Sequence, residues 1–83
     1  MKVTLKLYAT LADYLPPGSQ ENRIEIDVPE DETIAAILRQ YRLPPQLTHL
    51  VLVNGLFIPR DARPQRTLQA GDHLAVWPPI AGG

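Results

Sequence analysis

The sequence contains no cysteine. That absence excludes disulfide staples, Cys-ligated zinc, iron–sulfur clusters and thiol catalysis, and it fits a reducing compartment. Charge of one sign is also missing: 8 Lys and Arg face 9 Asp and Glu, for a net charge of -1. A near-neutral field draws neither nucleic acid nor an anionic membrane, so neither is expected as a partner. No apolar run approaches the ~18 residues needed to cross a bilayer. The opening Met1-Lys2-Val3-Thr4-Leu5-Lys6 alternates polar and apolar residues and lacks the unbroken apolar core of a secretion signal. The expectation is a soluble, cytoplasmic protein.

Conventional catalytic groups are equally sparse. The one serine, Ser19, sits in a proline–glycine loop, and the two histidines, His49 and His73, have no spacing that fixes a base to a nucleophile. Those histidines with Asp61 or Asp72 could hold a metal in principle, but solvent-facing histidines on a loop or strand edge are the simpler reading, and no metal is expected. Arg60, Arg63 and Arg66 occupy a polar, irregular segment and read as charges that solvate it, with a local docking patch as the other reading. Side-chain catalysis by this chain alone is not expected.

What is present describes one small domain. The chain has 83 residues, 45% of them apolar and 20% charged, the composition of an ordered protein with one compact core. Lys2 to Tyr8 and Arg23 to Val28 alternate in the manner of half-buried strands. Between them Leu11, Tyr14 and Leu15 precede a Pro16-Pro17-Gly18-Ser19 loop. Thr33 suits a helix N-cap, and Ile34, Ile37, Leu38 and Tyr41 follow at i, i+3, i+4 and i+7. The acidic trio Glu30, Asp31 and Glu32 is expected at the positive end of the helix dipole, with Arg39 and Arg42 toward the other. Leu43, ahead of Pro44, is disfavoured in helical geometry and should end the helix.

Leu50-Val51-Leu52-Val53, Asn54-Gly55 and Leu56-Phe57-Ile58 form a hairpin signal of the type I′ kind. Leu68 is expected against the core, Gly71-Asp72 to turn the chain, and His73 to Trp77 to form the last strand. The order ββαβββ, with the helix across the apolar face and the last strand parallel to the first, is an α+β, β-grasp or ubiquitin-like arrangement with a mixed sheet of about five strands. Its expected core is Val3, Leu5, Leu7, Ile24, Ile26, Val28, Ile34, Ile37, Leu38, Leu68, Leu74 and Val76.

Nine prolines, about twice the average share, include the pairs Pro16-Pro17, Pro44-Pro45 and Pro78-Pro79. The last pair opens the segment Pro78-Pro79-Ile80-Ala81-Gly82-Gly83. Prolines with fixed φ favour an extended path, and glycines pass through a channel too narrow for a Cβ. The division expected is a domain over residues 1–77 and an extended tail over residues 78–83, built to project a terminal carboxylate; a tail that merely frays is the bland reading.

Leu5-Lys6-Leu7-Tyr8-Ala9-Thr10-Leu11, Val51-Leu52-Val53-Asn54-Gly55, Leu68-Gln69-Ala70-Gly71-Asp72 and Pro78-Pro79-Ile80-Ala81-Gly82-Gly83 together resemble MoaD/ThiS-type sulfur carriers over essentially the whole chain. Length and the Pro-Pro-x-x-Gly-Gly ending are closer to MoaD, the small subunit of molybdopterin synthase, than to the shorter ThiS. Tyr8 stands where many relatives carry Phe. The resemblance implies a carrier, non-catalytic alone, whose Gly83 carboxylate is adenylated by a ubiquitin-activating-type adenylyltransferase (MoeB/ThiF-like) using ATP and Mg²⁺. It is then converted to a thiocarboxylate, with Gly82 beside it. No cofactor is implied for the chain itself.

In MoaD systems the sulfur is delivered inside a large, MoaE-like synthase subunit to precursor Z. Thiamin, a thiolated tRNA base, cysteine or a tungsten/molybdenum enzyme pathway are other destinations. A ubiquitin-like modifier joined through Gly83 to a lysine, and a β-grasp binding module with an inert tail, are the readings from other classes. Residues expected to meet partners are Trp77, Pro78, Pro79, Ile80, Ala81 and Phe57, with one of Val51, Leu52 and Val53. By strand parity Trp77 lies on the sheet's open side or else caps the core edge.

Overall fold

The computed structural model describes residues 1–79. Alternation makes Lys2–Leu7 a strand (β1) that buries Val3, Leu5 and Leu7. Arg23–Asp27 (β2) pairs with it antiparallel, setting Ile26 opposite Val3 and Ile24 opposite Leu5. The link between them is no tight turn: Ala9–Tyr14 forms a 3₁₀ helix that buries Leu11.

Thr33 caps the helix α1, Ile34–Gln40, its hydroxyl accepting the Ala36 N–H at 3.1 Å. Ile34, Ile37 and Leu38 form its buried stripe. The acidic trio lies ahead of the cap, so the first turn itself carries no acid. The helix ends sooner than the expected stop at Leu43. Arg42 turns to φ 59°, its N–H donates to the Arg39 carbonyl, and the Leu43 N–H reaches back to the Leu38 carbonyl. This paired closure satisfies the Leu38 and Arg39 carbonyls and folds Leu43 into the core beside Leu38. The terminator is therefore a left-handed arginine, one step before the proline constraint acts.

Leu50–Val53 (β3) and Leu56–Phe57 (β4) are joined by Asn54 at φ 50° and Gly55 at φ 85°, the two positive angles of a type I′ turn. His73–Trp77 (β5) completes a sheet of order β2-β1-β5-β3-β4. It runs parallel to β1 and antiparallel to β3, so the last strand made is the central one. With α1 across one face, this is the ubiquitin-like β-grasp architecture.

The core holds eleven of the twelve expected side chains; Ile24, on the edge strand, is only partly buried. It also takes in Leu11, Leu43, Val51, Val53 and Ile58. The central position of β5 explains two of these: β3 lies between β5 and β4, so its inward residues Val51 and Val53 are covered.

Two arginines read as surface charges are structural instead. Arg60 and Arg63 are three residues apart at a 3₁₀ turn, Arg60–Ala62, a spacing that aligns their side chains. Arg60 donates to the carbonyls of Pro45 at 3.2 Å and Thr48 at 3.0 Å. Arg63, 5% exposed, donates to the Thr48 hydroxyl at 3.0 Å and the His49 carbonyl at 3.3 Å. The segment after α1 forms a single 3₁₀ turn, Pro45–Leu47, whose own bonds end on the Pro44 and Pro45 carbonyls, and the guanidinium groups supply donors to the Thr48 and His49 carbonyls that follow. Burial and the neighbouring Arg60 charge pull the Arg63 pKa below its ordinary value.

Candidate functional site

The sheet face opposite α1 carries the candidate site. On β1 it presents Lys2, Thr4 and Lys6, and on β5 it presents His73, Ala75 and Trp77. The Tyr8 and Trp77 rings stack at 4.1 Å between centroids, 5° from parallel. Strand parity alone placed Trp77 on this side, and the structure puts it there; it does not cap the core edge. Leu50 is its register partner on β3, so Leu50, Trp77 and Tyr8 form one apolar row across three neighbouring strands.

A second row lies two residues along. Phe57, 55% exposed, is opposite Leu52, which is in turn opposite Ala75. Phe57 and Trp77 thus share a face, two strands apart, with Leu52 between them. Leu52 is the one of the three β3 candidates that looks outward; Val51 and Val53 point into the core. A shallow depression of about 270 Å³ follows the rows, edged by Lys6, Asn54, Gly55 and His73. Tyr8 is the member that reasoning from sequence passed over. Its parity with Lys6 and Thr4 placed it outward, but its partner lies at the far end of the chain.

The turns beside this face are tied together. The Asn54 amide donates to Asp72 at 2.9 Å and its oxygen accepts the His73 N–H at 2.8 Å, while Asp72 accepts the Gln69 N–H at 2.8 Å. At the far edge Lys2 and Asp27, cross-strand partners, form a 2.6 Å ion pair. Their hydrogen bond and mutual charge raise the lysine pKa and lower the aspartate pKa.

The exit of the chain is fixed to the last residue of β5. The Tyr8 N–H donates to the Val76 carbonyl at 3.1 Å and the His49 N–H to the Trp77 carbonyl at 3.0 Å. Pro78, half-buried, and Pro79, exposed, follow without strand pairing; a proline has no N–H with which to continue a ladder. Ile80, Ala81, Gly82 and Gly83, the remaining expected site residues, lie outside the described residues. Among the described residues no helix is long and apolar enough to cross a membrane, and no group of three or more His, Asp or Glu side chains is placed to hold a metal ion.

Solved structures share this architecture. SAMP1 from Haloferax volcanii is similar at 26% identity and a TM-score of 0.68, with all of both chains covered. The HVO 2177 protein of the same organism is similar at 26% identity and a TM-score of 0.74, covering 100% of this chain and 87% of that one. A chain from the complex of subunits 1 and 2 of the molybdopterin-converting factor of Helicobacter pylori has the same fold at 21% identity and a TM-score of 0.61, with all of both chains covered. No curated protein sequence matches. The model of the ThiS family matches residues 5–83, from the middle of β1 through both final glycines, and the chain belongs to that family.

Proposed function

We propose that the protein is a sulfur carrier whose reactive group is the carboxylate of Gly83. The observation that carries this reading is the family match, which runs through Pro78-Pro79-Ile80-Ala81-Gly82-Gly83. A main-chain carboxylate is ionised at neutral pH and is a poor electrophile. An adenylyltransferase partner corrects this: a Gly83 oxygen attacks the α-phosphorus of ATP, pyrophosphate leaves with Mg²⁺, and an acyl adenylate forms. Hydrosulfide then attacks the acyl carbon, the C–O bond breaks, AMP departs with that oxygen and the S–H proton passes to solvent, leaving a thiocarboxylate. One difficult substitution becomes two easier ones. ATP and Mg²⁺ belong to the partner, no cofactor is assigned to this chain, and this ATP-dependent chemistry suits the cytoplasm.

The domain's own part is positional. Hydrogen bonds to the carbonyls of Val76 and Trp77 hold the root of the segment, and Pro78-Pro79 lowers the entropy of an extended path. The row of Leu50, Trp77 and Tyr8 with Phe57 gives a partner an apolar face beside that root; aromatic groups are enriched at such contacts. Sulfur held on a tethered acyl group reaches its acceptor at high effective concentration.

The destination we assign to the sulfur is molybdopterin, formed within a large synthase subunit. The Helicobacter pylori neighbour, which is part of a complex of two subunits of a molybdopterin-converting factor, supports a second subunit of that kind. A second reading, conjugation of Gly83 to a target lysine, is favoured by the 25% identity to the small archaeal modifier protein 1 of Haloferax volcanii and shares the activation step.

The tail is tested by comparing the full chain with a variant lacking Gly82 and Gly83, each incubated with an activating enzyme and ATP. Pyrophosphate release with the full chain alone is expected. Equal release with both, or none with either, contradicts the proposal.

A further inference from the structure

A groove lies on the helix side of the molecule, away from the open sheet face. It encloses about 550 Å³ between the end of α1, the Pro44-Pro45 segment and the Arg60–Ala62 turn. Its apolar lining comes from Leu38, Leu43, Pro44 and Pro64, and its charges from Arg39, Arg42, Arg60 and Arg63. No described residue lining it is acidic. Among the described residues the one ion pair in the molecule is Lys2–Asp27, so none of the four arginines meets a carboxylate.

Half of the eight Lys and Arg residues thus gather at one groove of a chain whose net charge is -1. The clustering has a cost visible in the fold. Arg63 is buried as a cation and its Nε has no hydrogen-bond partner. At the end of α1 the Leu38 and Arg39 carbonyls already accept the Leu43 and Arg42 N–H groups. Arg39 and Arg42 are exposed and free to turn toward a ligand.

We propose that this groove docks an acidic peptide segment of a partner protein that also carries apolar side chains, these lying between Leu43 and the prolines and its carboxylates against Arg39, Arg42 and Arg60. The charge is complementary, and the volume falls in the usual range for a bound segment of a few side chains. A nucleic-acid strand fits less well, since the floor offers no aromatic platform for bases and a chain of net charge -1 does not draw phosphates beyond the groove. The inference does not depend on the final glycines.

The test uses the isotope-labelled full chain titrated with a synthetic peptide alternating Glu and Leu. Its controls are the Gln-for-Glu counterpart, inorganic phosphate and a single-stranded oligonucleotide. Amide shifts confined to residues 35–48 and 60–64 are expected with the acidic peptide alone, weakening with added salt. The double variant Arg39→Gln/Arg42→Asn alters two exposed side chains and keeps a residue that tolerates positive φ at position 42. It should bind about tenfold more weakly, the scale of two surface charge pairs, with an unfolding midpoint no lower than that of the wild type, since Asn suits the left-handed backbone at position 42. Absence of binding, equal binding of the neutral peptide, shifts on the open sheet face, response to phosphate or oligonucleotide without response to the peptide, or undiminished binding by the double variant would each overturn it.

Discussion

Thr33 shows how much a single side chain fixes. Its hydroxyl accepts the Ala36 N–H, and Thr33→Ala removes that partner while leaving the stripe of α1 intact. The expected loss is about 1 kcal/mol in a denaturant titration. Lys2 and Asp27 give a pH signature. The aspartate pKa is lowered below 3.8 and the lysine pKa raised above 10.5 by their mutual hydrogen bond. A carboxylate with a depressed folded pKa stabilises above its unfolded pKa, and that contribution is lost as pH falls through the folded value; the lysine's is present below 10.5 and lost as pH rises through its raised value. Both groups are well exposed, so the effect is small and screened by salt. Unfolding midpoints measured at falling pH should drop further below pH 3.8 for the wild type than for Asp27→Asn, and added salt should erase the difference. Capping was legible in the sequence because it is local. The burial of Arg63 was not: a basic residue between Ala62 and Pro64 looks solvated until the carbonyls of another segment come to meet it.

At the scale of elements, α1 and the segment that follows it are closed by arginines. Arg42 occupies a left-handed turn that glycine adopts without a Cβ penalty. Arg42→Gly is therefore expected to stabilise the fold by up to about 1 kcal/mol, seen as a higher denaturant midpoint with an unchanged slope. An equal or lower midpoint would show that the arginine side chain does more for the native state than its backbone strain costs. Arg63→Ala should act in the other direction, by roughly 2 kcal/mol, since the Thr48 hydroxyl and His49 carbonyl lose a charged donor. Faster amide exchange over residues 45–49 would accompany that loss. The hairpin at Asn54-Gly55 was legible because only a few residue types accept two positive φ angles. The end of α1 was not, because arginine carries no such signal and Pro44 drew attention to a stop that the chain had already made.

The whole molecule is organised by one topological fact: the last strand enters the centre of the sheet beside the first. This placement buries Leu74 and Val76, covers Val51 and Val53, and brings Trp77 onto Tyr8 across nearly the full length of the chain. Alternation in β5 was enough to say that Trp77 looks outward, but no local pattern announces a stacking partner so distant. The proposed reactive end is a contrasting case, a short run of residue types outside the described residues, and its role stays a proposal. The central proposal is that this fold presents Gly83 for conversion to a thiocarboxylate, and the most direct measurement is the intact mass of the protein after incubation with an activating enzyme, ATP and a sulfur source. The carrier account expects a single product in which one oxygen has been exchanged for sulfur, located at the last residue by fragmentation. An unchanged mass under conditions where the activating enzyme is demonstrably competent, or a ladder of heavier conjugates in place of that product, would contradict it.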